Sequence, residues 1–337
     1  MLKIIFILLI VSFNLNATEN KIGEFLGSKT VQMPSWFKTS FLDFSEDVAD
    51  SKIDNKHLIL YFHQDGCPYC AKLVEENFTD EKLVAQIRQN FEIIDVNMWG
   101  DKDLIDLSGK EYTEKQFAEK LKIQFTPSLI FLDTTGKQVL RMDGYQSISK
   151  MSKMLDFVAT KKYQTTTFSA FSSQGNNGKL NSQNFFSKPP HMLARSSKYP
   201  ANDFLAVFFE EGNCPECDDF HNNMLTKNNI KSAFEKMEVV QLNTSKDEKI
   251  INTNGKRTTS KKWYQELKLT SKPAVVIFDK FGVEIIRKDG FFKEFHFDSI
   301  LQYALTSSYK TQSNFQRYIE HRADEIRATG VDVDLWK

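Results

Sequence analysis

Leu58-Ile59-Leu60-Tyr61-Phe62-His63-Gln64-Asp65-Gly66-Cys67-Pro68-Tyr69-Cys70 runs from an apolar, aromatic stretch into two cysteines held two residues apart. A short continuous run of this kind, bounded by a turn signal at Asp65-Gly66, reads as a buried strand. The residues after Cys67 read as helix, and proline directly after the first cysteine suits a first helical turn, where its missing N–H is no loss. The arrangement returns at Leu205-Ala206-Val207-Phe208-Phe209 and Cys214-Pro215-Glu216-Cys217. These two motifs use all four cysteines of the chain. A thiol at a helix N-terminus meets unpaired amide N–H groups and the positive end of the helix dipole, so its thiolate is favoured. The thiolate is the species that attacks disulfides. Cys67 with Cys70 and Cys214 with Cys217 therefore read as two dithiol/disulfide redox sites.

Working outward from the motifs, the two halves align. Asn97 lies 30 residues after Cys67 and Asn243 lies 29 after Cys214. Pro127 and Pro273 each follow 30 residues later, and Gly144 and Gly290 each 17 beyond those. Apolar runs keep the same register, with Phe91–Val96 against Met237–Leu242 and Ser128–Asp133 against Ala274–Asp279. This is a tandem duplication.

Within one copy, the motif strand is Leu58–Phe62 and its helix runs from Pro68 to about Asn77. Asp80 caps a second helix that reaches about Arg88, before strand Phe91–Val96. Thr113 and Gln116 resemble a capping box for a helix to about Leu121. Ser128–Asp133 and Lys137–Arg141 form a hairpin about Thr134-Thr135-Gly136, and a last helix covers about Ser147–Ala159. Trp36–Ser51 adds a helix in front of the first copy. Alternating strands and helices closing on a hairpin predict an α/β fold, with a central mixed sheet flanked by helices in each copy.

The remaining stretches set the domain limits. Residues 1–17 read as a signal peptide: Lys3 supplies the basic start, Ile4 to Phe13 is apolar, and cleavage falls after Ala17. An uncleaved anchor is the alternative, although the apolar run is shorter than the roughly 20 residues of a membrane span. No cysteine near it offers a lipid attachment point. Domain 1 then spans residues 18–160 and domain 2 residues 200–306. Between them, residues 161–199 hold six Lys and Arg and no Asp or Glu, and read as a polar, basic linker, mostly solvated. Residues 307–337 form a helical tail expected to pack on domain 2. With 44 basic and 44 acidic residues, no net charge points to nucleic acid or to a membrane surface. There are 29 phenylalanines against 14 glycines, which favours aromatic cores.

A strand, Cys-Pro-x-Cys at a helix start, and Thr126-Pro127-Ser128 before a later strand resemble the thioredoxin superfamily. More narrowly, Tyr61-Phe62-His63-Gln64-Asp65-Gly66-Cys67-Pro68-Tyr69-Cys70, Gly144-Tyr145, and the tail from Phe315-Gln316-Arg317-Tyr318-Ile319 to Val331-Asp332-Val333-Asp334-Leu335-Trp336 resemble the SoxW-like periplasmic thioredoxin-related proteins. The duplication departs from their single domain. The likeness implies two tandem thioredoxin-like domains. It also implies cis-prolines at Pro127 and Pro273, preceded by Thr126 and Lys272, with substrate bound along those loops and beside Pro68 and Tyr69. Thioredoxins carry a buried acid six residues before the attacking cysteine; here Tyr61 and Phe208 take that place. His63 is either an acid/base partner or a plain strand-end side chain.

The function expected is exported thiol–disulfide exchange in the periplasm. Cys67 and Cys214 attack; Cys70 and Cys217 resolve. Reduction of protein disulfides is the favoured direction, with a membrane thiol electron donor, a monomeric state and no cofactor beyond the redox-active disulfides. The alternatives are a two-site oxidase or isomerase, and a one-site enzyme whose second domain docks partners. A shared metal site is disfavoured by the 143 residues separating the two cysteine pairs, against about 15–20 in zinc ribbons. Haem attachment is excluded by Ala71 and Asp218 where a histidine is required. Glu210, Glu211, Glu216, Asp218 and Asp219 surround Cys214, so its thiolate is expected to be the less favoured and the second site the more reducing.

Overall fold

The computed structural model describes residues 21–172, 178–201 and 204–336, so the signal-peptide reading of residues 1–17 lies outside the described residues. Domain 1 runs α1 (Phe44–Ile53), β1 (His57–His63), α2 (Pro68–Lys72), α3 (Glu81–Asn90), β2 (Phe91–Asn97), α4 (Glu114–Lys120), β3 (Ser128–Leu132), β4 (Gln138–Asp143) and α5 (Ile148–Ala159). α2 continues as a wider turn over Leu73–Asn77. The sheet order is β2-β1-β3-β4, with β1 and β2 parallel and the other pairs antiparallel. After α6 (Phe168–Ser172), domain 2 repeats the plan with β5 (Phe204–Glu210), α7 (Pro215–Asp219), α8 (Asn228–Phe234), β6 (Met237–Asn243), α9 (Ser260–Glu266), β7 (Ala274–Phe278), β8 (Glu284–Lys288) and α10 (Glu294–Leu305). Its sheet order, β6-β5-β7-β8, is the same. α11 (Phe315–Ala328) follows.

The motif strands are central because they are apolar on both faces: every residue of β1 is buried. One face carries the cluster that includes Cys67, Cys70 and Tyr61; the other packs Leu58, Leu60 and Phe62 with Phe44 and Phe117. Local signals hold the flanking helices. Asp80 accepts from Leu83 N at α3, and Thr113 with Gln116 closes a capping box at α4.

Two sequence expectations need correction. The helix placed over 36–51 begins only at Phe44, where Asp43 caps it; Trp36 and Phe37 lie in a turn, closed by Phe37 N donating to Pro34 O at 3.1 Å, of an arm packed against the domain 1 core. The segment 161–199 is exposed over about half of its described residues, as a linker would be, but it is also anchored. Phe168 is buried in the domain 1 core, and Phe185 and Phe186 pack into that of domain 2. The stretch from Gly178 is a second copy of the N-terminal arm. Lys38 N donates to Ile93 O at 2.9 Å and Ser187 N to Val239 O at 2.8 Å, at matching repeat positions. The rings of Trp36 and Phe37 meet at 4.9 Å and those of Phe185 and Phe186 at 5.1 Å. Paired aromatics anchor an otherwise polar segment by burying large apolar area.

The tail also does more than cover domain 2. Phe315 is fully buried between Phe125 of domain 1 and Tyr303 of domain 2, at 5.3 Å from each. Its amide donates to Gln124 Oε1 (2.7 Å), and Gln316 Nε2 donates to Gln124 O (2.9 Å). Beyond α11, Val333–Asp334 pairs in parallel with Phe25–Leu26 near the start of the described chain. The domains approach closely at Gly290, where a Cβ would stand 2.6 Å from Asp143 O.

Candidate functional site

Each motif sits where a central strand turns into a helix. Cys67 caps α2 with extended backbone angles, and its Sγ accepts from Cys70 N at 3.1 Å; Cys214 caps α7 in the same way, accepting from Cys217 N at 3.1 Å. Gly66 makes the preceding turn at φ +72°, where a side chain would also strike Ser28. Each pair is closed as a disulfide, Cys67–Cys70 and Cys214–Cys217. The attacking sulfurs are nearly covered, with Cys67 4% and Cys214 5% exposed and their partners 1%. Among the described residues, no group of three or more His, Cys, Asp or Glu is arranged to hold a metal, and no helix is long and apolar enough to cross a membrane.

The prolines stand opposite. Thr126–Pro127 and Lys272–Pro273 are both cis peptides. Thr126 Oγ1 donates to Cys67 Sγ at 3.3 Å, and Thr126 O lies 3.6 Å from the same sulfur, where a reduced thiol would donate. Thr126, Pro127, Pro68 and Tyr69 thus surround the first disulfide. A groove of about 560 Å³ opens above it, lined by Cys67, Trp99, Phe125, Phe291, Phe292 and Arg317. Tyr69 is pinned rather than free to greet a partner. Its hydroxyl accepts from Lys293 N (3.0 Å) and lies 3.1 Å from His296 Nδ1, while Trp336 packs on its ring at 5.2 Å. Burial drives the His296 pKa down to about 3, so the imidazole is neutral. The hydroxyl keeps its own proton to donate, and the Nε2–H tautomer of the neutral imidazole, which we assign to His296, accepts it at Nδ1.

Tyr61 and Phe208 fill the position of the missing acid, both fully buried. His63 Nε2 lies 3.4 Å from Asp95, outside hydrogen-bond alignment, and its proximity holds the Asp95 carboxyl below its usual range.

The second site has a different interior. Glu210, fully buried, meets His221 Nε2 at 2.9 Å and accepts from Gln241 Nε2 at 2.6 Å. Gln183 Nε2 faces His221 Nδ1 at 3.2 Å, which assigns the proton to Nε2. Lys272 Nζ donates to Glu211 at 2.5 Å. Lys288, where domain 1 has Met142, donates to Pro273 O at 2.8 Å and lies over the Phe220 ring. The expectation of a more reducing second site rested on unbalanced acids. Glu210 and Glu211 are each partnered, and Glu216 acts across space on buried Lys288 and on Lys150 of domain 1. Among the described residues, Asp218 and Asp219 accept only from the Asn181 and Asn223 amides, so the acids of the second site are offset in part. His221 and Lys288 escaped the sequence reading, which took Glu210 only as a nearby acid, though aligning the copies sets Glu210 against His63 and Lys288 against Met142, polar exchanges inside a repeat.

Burial lowers the Lys288 pKa from 10.5 to about 7, and that of Lys150 to about 8. Between those values and 10.5 the unfolded chain binds protons that the folded chain has released, so stability rises with pH from about 7. Raising pH from 7 to 9 should add about 2 kcal/mol through Lys288, at about 1.4 kcal/mol per pH unit. Lys288→Met is expected to remove that part of the rise in urea unfolding at the two pH values. An equal rise in variant and parent would show that the amine is not buried.

With this geometry in view, the comparisons are direct. The profile of the thioredoxin-like domain matches residues 44–159 and again 197–305. Curated proteins yield no match. Among solved structures, a thioredoxin-fold protein from Helicobacter pylori aligns at 23% identity over 39% of this chain and 93% of its own, with a TM-score of 0.31. A thioredoxin from Thermus thermophilus aligns at 20% identity over 35% and 85%, with a TM-score of 0.30. The periplasmic thioredoxin SoxS from Paracoccus pantotrophus aligns at 20% identity over 32% and 99%, with a TM-score of 0.23.

Proposed function

The chain belongs to the thioredoxin-like family through both its halves and is a thiol–disulfide oxidoreductase; from that premise we propose that it is an exported reductase of protein disulfides. The observation that carries the chemistry is the amide N–H of the second cysteine aimed at the first sulfur, 3.1 Å away in both motifs, at a helix start. In the reduced enzyme, the Cys67 or Cys214 thiolate attacks one sulfur of a substrate disulfide. A mixed disulfide forms and the other substrate sulfur leaves as a thiolate. Cys70 or Cys217 then attacks the enzyme's sulfur in that bond, releasing the second substrate thiol and closing the enzyme disulfide. Two electrons pass to the substrate, so a thiol donor must restore the enzyme; a membrane dithiol protein is the donor proposed. Thr126–Pro127 and Lys272–Pro273 would align the substrate backbone, with Pro68 and Tyr69 beside it. The apolar run at residues 4–13 and the use of every cysteine in an exchangeable pair support export and a monomeric redox role.

A second reading has its own support. The Lys272–Glu211 ion pair lies on the cis-proline loop of domain 2, a fixed charge pattern suited to docking a partner rather than to turnover. Rapid acid trapping in cells, thiol alkylation and peptide mass readout separate the cases. Both motifs mostly reduced is the expected result. Both oxidised would replace the reductase with an oxidase or isomerase.

A further inference from the structure

The two domains meet about a pseudo-twofold axis. Tyr145 forms an antiparallel bridge with Phe291, and these are the same position in the two copies, one after the matched glycines Gly144 and Gly290. An interface of this kind presents each contact twice, once in each direction. The first contact joins the residue two before the cis-proline of one domain to the residue two after the matched glycine of the other. In one direction it is Phe125 against Phe292, rings 5.0 Å apart. In the other it is Ser271, whose hydroxyl oxygen accepts from Gln146 Nε2 at 3.2 Å. The second contact involves the first turn of the closing helix, where Lys150 and His296 are equivalent. His296 of domain 2 holds Tyr69, which lies between the cysteines of domain 1. Lys150 of domain 1 donates to Ser271 Oγ at 2.6 Å, beside the cis-proline loop of domain 2. Its charge also feels Glu216, the counterpart of Tyr69.

We propose that each domain's closing helix supplies a positioning group to the other domain's redox site, His296 to Cys67–Cys70 and Lys150 to Cys214–Cys217. The inference rests on the oxidoreductase reading. Shape is conserved across the axis while chemistry is not. The first site receives a neutral, aromatic wall; the second receives a cation, Lys150, and an amide, Gln146. Part of the difference between the sites is thus delivered across the interface, beside the part set within domain 2 by Glu210, His221 and Lys288.

The direction of each effect follows. Lys150 favours the Cys214 thiolate, and a stabilised thiolate makes its disulfide more readily reduced. Lys150→Met should therefore make the second motif more reducing, by about tenfold in the exchange equilibrium constant, or about 30 mV. His296→Leu keeps bulk but removes the acceptor for the Tyr69 proton. A buried hydroxyl without an acceptor turns toward water, which opens the wall over Cys67, hydrates its thiolate and makes the first motif more oxidising, by threefold or more. His296→Gln, which can still accept, should restore the parent value.

The test equilibrates the full chain at pH 7 with glutathione buffers and reads each motif separately by alkylation and peptide mass. Motif-specific shifts are the expected result: second motif only for Lys150→Met, first motif only for His296→Leu. Unmoved potentials, or equal shifts at both motifs, would overturn the proposal, the latter because it signals general loosening. If Lys150→Met does not fold, a cycle with Tyr69→Phe decides alone, since His296→Leu must add no shift once the hydroxyl is gone. Failure of either motif in the parent chain to equilibrate at all would instead remove the oxidoreductase reading, and this inference with it.

Discussion

A chain carrying Cys70→Ser and Cys217→Ser is expected to lose turnover of a protein disulfide by at least about 10³-fold while accumulating covalent adducts with its substrates. The attacking sulfurs remain at their helix starts, each still exposed to a main-chain amide, so the first step survives. Release does not. In the parent the second cysteine sits within bonding distance of the first, and groups held this way react as if present at about 10⁵ M or more. An external thiol at millimolar concentration must replace them. Even with most of that advantage discounted for strain and leaving-group differences, the deficit stays large. Adducts on non-reducing gels that vanish with excess dithiothreitol, and that require Cys67 or Cys214, are the readout. Turnover within tenfold of the parent, without adducts, would show that the motifs do not work by attack and resolution.

Phe315→Ala should cost about 3–5 kcal/mol, the range for emptying a fully buried phenylalanine site. The ring touches Phe125 of domain 1 and Tyr303 of domain 2, so the space left behind lies where three bodies join and cannot be refilled from one side. Urea unfolding measures the loss. Alkylation of reduced Cys67 should also accelerate, because α11 lines the groove above that sulfur. A loss under 1 kcal/mol would mean that the helix is not held by this contact.

Much of this was legible in sequence because it is local or periodic. The motif strands announce themselves by unbroken apolar runs, the helix starts by Asp80 and by Thr113 with Gln116, and the repeat by its constant spacing. Pro127 and Pro273 could be singled out because they stand 60 and 59 residues after Cys67 and Cys214. What stayed hidden depends on contacts far apart in the chain. Residues 161–199 look solvated because a few scattered side chains, Phe168, Phe185, Phe186 and Leu193, carry the anchor; the hydrogen bonds of Ser187 and Lys38 to matching strands and the matching ring pairs reveal the second arm. The acids around Cys214 looked unbalanced because Lys272 and Lys288 lie 58 and 74 positions away and Lys150 belongs to the other domain. His296 and Tyr69 are separated by 227 residues. No spacing rule connects them.

The pairing of Phe25–Leu26 with Val333–Asp334, and the seat of Trp336 on Tyr69, give the molecule a timetable. Domain 1 is synthesised first, but the helix that lines the groove above Cys67 and the tryptophan seated on Tyr69 follow only after domain 2. At roughly 5–20 residues per second, the interval between the end of α5 and Trp336 is on the order of ten to thirty seconds. For that whole interval the newborn first domain carries its motif uncovered, open to any thiol or disulfide in its surroundings. Its earliest exchange partner can therefore be a different one from the partner that the finished molecule admits.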